Sequence, residues 1–204
     1  RITNRCPDDR IFAEEDGLRS PISEGSVWVI DPIDGTNNFV TQKEDFAVMV
    51  AYFEEGIGQF GLIYDVMRDH LFYGGGEFPV YRNEFELTPF VDQPLENFLI
   101  ASNVGMLEKN DWGMADLGMA SLGIRVYGSA GISFAKILSG GILAYFSYIW
   151  PWDYAAAAIM GERLGYTVLN LNGDKPNYQT VEPIMMVPKV KLTEIQTYLK
   201  KGRS

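Results

Sequence analysis

Alternating hydrophobic and polar positions in the first half of the chain predict a series of β-strands. These runs are rich in β-branched and aromatic residues, which is typical of strands. The sequence Glu54-Glu55-Gly56 predicts a hairpin turn between two of them, and the glycines at 74–76 predict another turn. The predicted strands lie at 27–30, 46–56, 57–65, 69–74, 79–83 and 98–102.

The second half of the chain changes to an alternation of strand and helix patterns. The run SAGISFAKILSGG has apolar side chains near helical spacing, with Ser129 able to cap the helix and Gly140 able to end it. An alanine-rich stretch predicts a second helix that stops at Gly165, and 190–202 predicts a final amphipathic helix. The predicted strands lie at 124–128, 142–149, 166–170 and 184–188. This order predicts an α/β protein in which two packed sub-sheets share one site.

Composition and charge narrow the possible partners. The 204 residues are 47% hydrophobic and 22% charged, which is ordinary for a folded globular chain. A net charge of -10 repels nucleic acid and anionic lipid, so we expect neither as a partner. The longest uncharged stretch, 137–152, is shorter than the ~20 apolar residues of a membrane helix, and we expect a buried core element there.

One cysteine and one histidine exclude several kinds of catalytic site. Cys6 has no second cysteine for an internal disulfide, which fits a reducing, cytoplasmic compartment. A Cys/His pair, a Ser-His-Asp triad and a His/Cys zinc site would all depend on His70, which lies in a strand-like run. No signal-peptide pattern opens the chain, because charged residues interrupt every apolar run there.

The stretch WVIDPIDGTNNF, residues 28–39, carries the strongest chemical signal. We expect the strand to end where Pro32 removes a backbone donor, leaving Asp31 and Asp34 on a stiff turn. Gly35 permits an unusual backbone conformation, and Thr36 can cap a helix start. Carboxylates favour hard cations such as Mg²⁺, and the N–H groups of a helix start favour phosphate. This one short segment is therefore predicted to offer carboxylates to a cation and helix-start N–H groups to a phosphate.

Two other known loops fail to explain this segment. An EF-hand loop with Gly35 as its sixth position would use Ile30 as its first ligand and Thr41 as its twelfth, and neither is a carboxylate. The haloacid dehalogenase motif needs an aspartate where this chain has Pro32. The remaining interpretation makes both aspartates metal ligands, which requires further carboxylates from elsewhere.

The chain offers such carboxylates in two places. Glu14 and Glu15 lie just upstream of the strand, and Asp153 lies at the start of the alanine-rich helix, where the helix dipole stabilises an anion. Taken alone, the glutamates fit a solvated acidic turn and Asp153 fits an ordinary helix-start acid. Two aspartates at a strand end have no comparable structural explanation, so the hypothesis is a metal site built from all of these segments.

With these acidic segments the sequence resembles the inositol monophosphatase family of magnesium-dependent, lithium-sensitive phosphatases. WVIDPIDGTNNF is similar to the family's first signature and PWDYAAAA to its second. AEED is similar to the Gly-Glu-Glu segment, and YGSAGISFAKILSGGILAYF resembles the stretch between. The resemblance covers nearly the whole chain, in the family's order. It implies a layered αβαβα sandwich of the sugar-phosphatase type, with an antiparallel-rich first sheet and a mixed second sheet. We expect a single catalytic domain over 1–204, with sub-lobes of about 1–95 and 96–204.

The resemblance also implies the roles of individual residues. One Mg²⁺ would be held by Glu14, Asp31 and the Ile33 carbonyl, and a second by Asp31, Asp34 and Asp153. A looser third ion would use Glu14 and water. The residues expected to act in catalysis are Glu14, Asp34 and Thr36. The residues expected to contact the substrate are Asp34, Gly35, Thr36, Gly128, Ser129, Ala130 and Asp153.

Two departures from the family pattern bear on function. The family carries two helices upstream of the point where this chain starts, with an aspartate that works with the threonine matching Thr36 and a lysine near the site. Their residues have no counterpart here, and we expect a segment of this kind to be missing from the sequence. Ser147 stands where the family has a glutamate that holds an inositol hydroxyl, and its spacing to Trp152 is one residue shorter.

The sequence therefore predicts a Mg²⁺-dependent phosphomonoesterase that uses metal-activated water. The expected substrate is inositol monophosphate; the same scaffold also handles NADP(H), fructose 1,6-bisphosphate and 3′-phosphoadenosine 5′-phosphate. A homodimer is expected from the resemblance. A hypothesis of another class is a non-catalytic metal-binding or interaction protein on this scaffold. The presence of all four metal carboxylates argues against it.

Overall fold

Two β-sheets lie on either side of a pair of helices in the computed structural model, which describes residues 2–15 and 19–199. The strands are β1 (Arg10–Ala13), β2 (Ser26–Asp34), β3 (Ala47–Glu54), β4 (Ile57–Asp65), β5 (His70–Gly75), β6 (Phe78–Arg82), β7 (Phe85–Glu86), β8 (Leu99–Ser102), β9 (Gly123–Arg125), β10 (Tyr145–Ile149), β11 (Tyr166–Asn170) and β12 (Glu182–Pro188). The helices are α1 (Ile2–Arg5), α2 (Thr36–Thr41), α3 (Val104–Glu108), α4 (Met114–Ala120), α5 (Ala130–Leu138), α6 (Pro151–Arg163) and α7 (Leu192–Gln196).

The first sheet follows chain order, β1 to β7. Only its first pair, β1 and β2, is parallel, and every other neighbouring pair is antiparallel. The second sheet has the order β11-β12-β10-β8-β9 and mixes parallel with antiparallel pairs. The predicted class, α/β with an antiparallel-rich first sheet and a mixed second sheet, is therefore confirmed.

Helices α5 and α6 form the layer between the sheets. Nearly all residues of α5 are buried, and α6 buries its alanines against the first sheet and β11. The main core joins side chains from both sheets around these helices, such as Met49 and Met186. Small alanines let α6 approach the strands closely: a Cβ added at Gly61 would lie 2.3 Å from the Ala156 carbonyl oxygen.

The outer face of the second sheet has its own core. Side chains alternate along each strand, so Tyr145 faces the central helices and Phe146 faces outward. Phe146 belongs to the same buried cluster as Met106 of α3, Leu117 of α4 and Ile195 of α7. The described residues thus supply the layers β, α, β and α of the expected αβαβα order. The face of the first sheet turned away from α5 and α6 bears a partly exposed cluster of rings: Trp28, Tyr52 and Phe60.

Local predictions were confirmed where turn chemistry is unambiguous. The hairpin between β3 and β4 turns at Glu55 and Gly56, both with positive φ. Ser129 caps α5 by accepting a hydrogen bond from the Ile132 N–H at 3.1 Å.

The final helix is shorter than predicted, ending at Gln196, and its expected last residues, from 200 on, lie outside the described residues. No helix in the described ranges is both long enough and apolar enough to cross a bilayer.

Candidate metal centre

The two aspartates of the IDPID segment lie on one strand and face the same way. Strand β2 continues through Pro32 to Asp34, so the predicted strand end at Ile30 is wrong. The pairing with β3 shifts between Asp31 and Asp34: three steps along β2 match two steps along β3. This β-bulge absorbs the missing donor of Pro32 and returns Asp34 to the face of Asp31. Both side chains are buried, with 1% and 7% of their surface exposed.

The start of α5 fixes the Asp34 carboxylate. Its Oδ1 accepts a hydrogen bond from the Ala130 N–H at 3.0 Å, and its Oδ2 accepts one from the Gly131 N–H at 2.8 Å. The Ser129 hydroxyl also donates to Oδ2. Burial raises the pKa of Asp34, and these three donors oppose that rise. Asp34 therefore bridges the first sheet and the central helix layer.

The third aspartate comes from the other central helix. Pro151 opens α6, a position where its missing N–H costs nothing, and Asp153 follows within the first turn. The Asp153 Oδ2 accepts a hydrogen bond from the Trp150 N–H at 2.7 Å, which orients the carboxylate at the helix start. The predicted placement of Asp153 at a helix N-terminus is thus what the structure has.

These three side chains converge on one point. Among the described residues, one carboxylate oxygen each from Asp31, Asp34 and Asp153 lies within 4.8 Å of the others. Burial, followed by repulsion from Asp34 and Asp153, raises the pKa of Asp31 to about 9. Burial and then repulsion from Asp34 raise the pKa of Asp153 to about 7. Like charges held this close without a cation take up protons, so a divalent cation would relieve the repulsion.

Glu14 lies beside this group but is not a member of it. It directly follows β1, which runs parallel to β2 and pairs Ala13 with Ile30. The Glu14 N–H donates to the Ile30 carbonyl at 3.3 Å, which places Glu14 next to Asp31. Its side chain is exposed, and its charge contributes to the raised pKa of Asp31. Glu15 is also exposed. The structure thus brings three of the four predicted acidic ligands together and leaves Glu14 at the rim.

The turn after Asp34 differs in detail from the prediction. Gly35, with φ of 82°, occupies the N-cap position of α2, and Thr36 is the first helical residue. Capping by Thr36 is therefore wrong: its hydroxyl donates back to the Ile33 carbonyl at 3.1 Å. The Ile33 N–H donates to Asp31 Oδ1 at 3.0 Å, so Ile33 lies close to the carboxylates with its carbonyl bonded by Thr36. These contacts make the bulge and the turn one compact unit.

A cavity of about 300 Å³ opens beside Asp34 and Asp153. The predicted substrate-contacting residues Gly128, Ser129 and Ala130 line it, although Ser129 and Ala130 also bind Asp34. Apart from Ser147, sequence reasoning missed the rest of the lining, which comes from the second sheet and its loops: Ser102, Asn103, Val104, Val126, Tyr145 and Ile149. Ser147 alone was singled out from the sequence, and it accepts a hydrogen bond from Asn103 Nδ2 at 3.0 Å.

A larger cavity, of about 650 Å³, lies at the other end of α6, around Glu162 and Arg163. It contains none of the three aspartates, so size alone does not locate the chemistry. We therefore take the smaller cavity as the candidate site, because it combines concave space with a cluster of acids of raised pKa.

Comparison with known proteins agrees with this geometry. The sequence model of the inositol monophosphatase family matches residues 1–202. The inositol-1-monophosphatase of Bacillus subtilis (strain 168) is 38% identical over 180 residues, which cover 85% of this chain and 68% of that protein. The chain spans about two thirds of the length of the curated relatives it matches.

Solved structures match nearly the whole chain. Inositol monophosphate-bound SaIMPase-II superposes with a TM-score of 0.89 and 30% sequence identity, covering 97% of this chain and 79% of that one. The 2′-AMP-bound form of SaIMPase-II gives a TM-score of 0.90 and 30% identity, covering 97% and 78% of the two chains. The arrangement of sheets and helices around the three aspartates is thus shared with phosphatases that bind small phosphate esters.

Proposed function

The chain belongs to the inositol monophosphatase family, and from this premise we propose that it is a Mg²⁺-dependent phosphomonoesterase. Its substrate would be inositol monophosphate or a related small phosphate ester. The observation that carries the proposal is the convergence of Asp31, Asp34 and Asp153 within 4.8 Å. A buried group of like charges at the edge of a cavity opposes folding unless a cation balances it.

The donor set fits a divalent hard cation. All three side chains offer carboxylate oxygens, which Mg²⁺ prefers, and no described cysteine or histidine belongs to the group. We propose that Asp31 is shared between two ions, with Glu14 and the Ile33 carbonyl completing one site and Asp34 and Asp153 the other. A third ion would use Glu14. When bound, such ions lower the pKa of water and neutralise charge on a phosphate.

The residues of the chain have separate tasks in this proposal. Asp34 and Asp153 are held by backbone donors, so their carboxylates are oriented before any ligand arrives. Gly35 and Thr36 would contact the phosphate at the start of α2. Glu14, Asp34 and Thr36 would act in catalysis, and Thr36 would help to orient the attacking water. Gly128, Ser129 and Ala130 line the cavity and would contact the substrate there.

The substrate proposal rests on the cavity and on relatives. SaIMPase-II has been solved with inositol monophosphate and with 2′-AMP, which makes both esters suitable test compounds. In this chain the buried Ser147 replaces the family's glutamate on the cavity wall. NADP(H), fructose 1,6-bisphosphate and 3′-phosphoadenosine 5′-phosphate therefore stay in the proposed set beside inositol monophosphate.

Several family properties extend the proposal. We propose one catalytic domain over 1–204, supported by a core cluster that joins both sheets. A homodimer, a cytoplasmic location and inhibition by lithium are proposed from family membership alone.

Phosphate release by the purified full-length protein tests the function. The panel is inositol 1-phosphate, 2′-AMP, NADP, fructose 1,6-bisphosphate and 3′-phosphoadenosine 5′-phosphate, each with millimolar Mg²⁺ or with EDTA. We expect at least one ester to be hydrolysed with Mg²⁺ and none with EDTA. Release that is equal in both conditions would contradict a metal-dependent enzyme, and absence of release from every ester would favour the non-catalytic alternative.

A further inference from the structure

The side chain of Asn38 joins two segments that are far apart in sequence. Its Nδ2 donates one hydrogen bond to the Asp45 carbonyl at 2.9 Å and another to the Tyr127 carbonyl at 2.7 Å. Both partners are carbonyl oxygens, which only accept hydrogen bonds, so the amide nitrogen must face them and uses both of its hydrogens.

One of these segments binds Asp34, and the other packs beside Gly35, the residue after it. Tyr127 lies two residues before the stretch in which the Ser129 hydroxyl and the N–H groups of Ala130 and Gly131 bind Asp34. The Asp45 carbonyl packs against the turn before α2, since a Cβ added at Gly35 would lie 3.1 Å from it. Asn38 therefore links α2 to the segment at Asp45 and to the segment that binds the Asp34 carboxylate.

The backbone leaves room for this contact. Gly128 has φ of 70°, a conformation that favours glycine, and a Cβ added there would lie 3.0 Å from Asn38 Oδ1. Gly128 thus lets Asn38 approach the backbone closely, and it also lines the cavity. An uncharged amide also fits here for electrostatic reasons, because a carboxylate at this position would face two carbonyl oxygens.

Helix α2 has few side-chain contacts with other described elements beyond its first turn. The helix has six residues and none of them is buried. The Thr36 hydroxyl bonds the Ile33 carbonyl, and within the described part of the chain the other side-chain contacts of α2 include the ring of Phe39 against Phe46, with centroids 5.0 Å apart, and the two bonds of Asn38. The position of α2 relative to the 127–131 segment should therefore depend on Asn38.

We propose that Asn38 is a positioning residue that keeps the start of α2 and the start of α5 in register around Asp34. This inference rests on the proposed function, because it assigns Asn38 a role in holding the site for phosphate ester hydrolysis. Asn38 itself touches neither the carboxylates nor the reacting groups in this assignment. It acts through the 127–131 segment and through the turn at Gly35.

The test uses two variants of Asn38 and two matched variants of its neighbour. Asn38→Ala removes both donors, and Asn38→Asp keeps the shape but replaces the donors with a repelling carboxylate. Asn37→Ala and Asn37→Asp are the controls, because Asn37 lies on the same helix, is exposed, and makes no side-chain hydrogen bond to any described residue. The variants Asn38→Asp and Asn37→Asp add the same negative charge at neighbouring positions.

The first readout is steady-state kinetics with Mg²⁺, well below the melting temperature. Misplacement of reacting groups by about 1 Å can cost ~10²-fold in rate. We expect kcat to fall by roughly 10- to 10²-fold in both Asn38 variants, with a much smaller change in KM, and to be nearly unchanged in both Asn37 variants. Unchanged kcat in Asn38→Ala, or an equal loss in the Asn37 variants, would overturn the assignment.

The second readout needs no turnover. Amide hydrogen exchange of the metal-free protein should become faster in peptides covering 127–131 in the Asn38 variants, and stay unchanged in β4 at Ile57–Asp65. A uniform rise over the whole chain would mean a general loss of stability and would overturn the positioning role. If the wild type hydrolyses no ester, the proposed function fails, and the exchange pattern alone still decides whether Asn38 holds this segment.

Discussion

Asp31 and Asp34 lie three residues apart on β2, yet both carboxylates face the buried side of the first sheet. In a regular strand an odd spacing sends side chains to opposite faces. The extra residue between them, opposite a two-residue step of β3, restores the common face. The bulge thus creates a pair of buried like charges, and the start of α6 adds Asp153 as a third.

This cluster should make the metal-free protein less stable as the pH rises. Aspartate in an unfolded chain has a pKa of about 3.9. In the folded protein, burial and repulsion raise the pKa of Asp31 to about 9 and the pKa of Asp153 to about 7. At a pH between the unfolded-state pKa and the folded-state pKa of each group, the folded state binds more protons than the unfolded state. Their stabilising contribution is fully present below the unfolded-state pKa and is lost as the pH rises through about 7 and about 9.

We therefore expect the melting temperature in EDTA to fall from pH 5 to pH 9, and to fall less in Asp31→Asn. Millimolar Mg²⁺ should raise the melting temperature most at pH 8 to 9, because it binds the deprotonated carboxylates of the folded state alone. Thermal scans at several pH values check this. An equal Mg²⁺ shift in wild type and in Asp34→Asn would count against the site.

Asp31→Asn should abolish turnover without unfolding the protein. The asparagine oxygen can still accept the hydrogen bond from the Ile33 N–H, so the bulge should persist. The shared negative charge is lost, and we expect less than roughly a tenth of the wild-type rate at saturating Mg²⁺. Asp174→Asn, an exposed change away from the cluster, is the control and should retain full activity. A rate above that limit in Asp31→Asn would refute the two-metal proposal.

Gly35→Ala should cost more stability than an alanine at another left-handed glycine. The added Cβ would lie 2.9 Å from Ser129 Cβ and 3.1 Å from the Asp45 carbonyl oxygen. Gly140→Ala is matched in backbone conformation, with φ of 73°, and its Cβ would meet nothing within 4 Å. We expect ~1–2 kcal/mol for Gly140→Ala from backbone conformation alone and a larger loss for Gly35→Ala. Urea unfolding of both variants measures the difference, and equal losses would show that the turn has room to adjust.

Ser147→Ala should change substrate preference more than metal dependence. Ser147 is 4% exposed, lines the cavity and accepts a hydrogen bond from Asn103 Nδ2. Removal of the Ser147 hydroxyl leaves the Asn103 amide donor unpaired in the cavity wall. A site that loses a hydrogen bond to one substrate shifts its discrimination between two substrates by ~10-fold or more. The ratio of kcat/KM for inositol 1-phosphate to that for 2′-AMP measures this shift. Ser139→Ala, at the far end of α5, should leave the ratio unchanged; an unchanged ratio in Ser147→Ala would remove Ser147 from the specificity determinants.

Sequence patterns predicted the elements whose signals are local. Strand β4 has the predicted bounds, because a strong alternating run follows the Glu55-Gly56 turn directly. The end of β2 was predicted wrongly, since Pro32 is tolerated at a bulge and the bulge depends on pairing with β3. Helices α3 and α4 were not predicted: they are short, and three positive-φ residues separate them, Asn110, Trp112 and Gly113.

The candidate site was only partly accessible from the sequence. The chemistry of Asp31 and Asp34 follows from their own segment, but their meeting with Asp153 depends on how α6 packs between the sheets. The resemblance to a family supplied that link. No local pattern indicates that Asn38 bonds a carbonyl 89 residues away, because this contact exists only once α2 docks beside the start of α5.

The most direct measurement is an anomalous difference map from crystals of the full-length protein soaked in Mn²⁺, a substitute for Mg²⁺ at oxygen ligands. We predict at least one strong peak in contact with carboxylate oxygens of Asp31, Asp34 and Asp153 together, and no such peak in Asp31→Asn crystals. A wild-type map with no peak among these three aspartates, at a Mn²⁺ concentration that supports phosphate release, would contradict the assignment of this cluster as the metal centre.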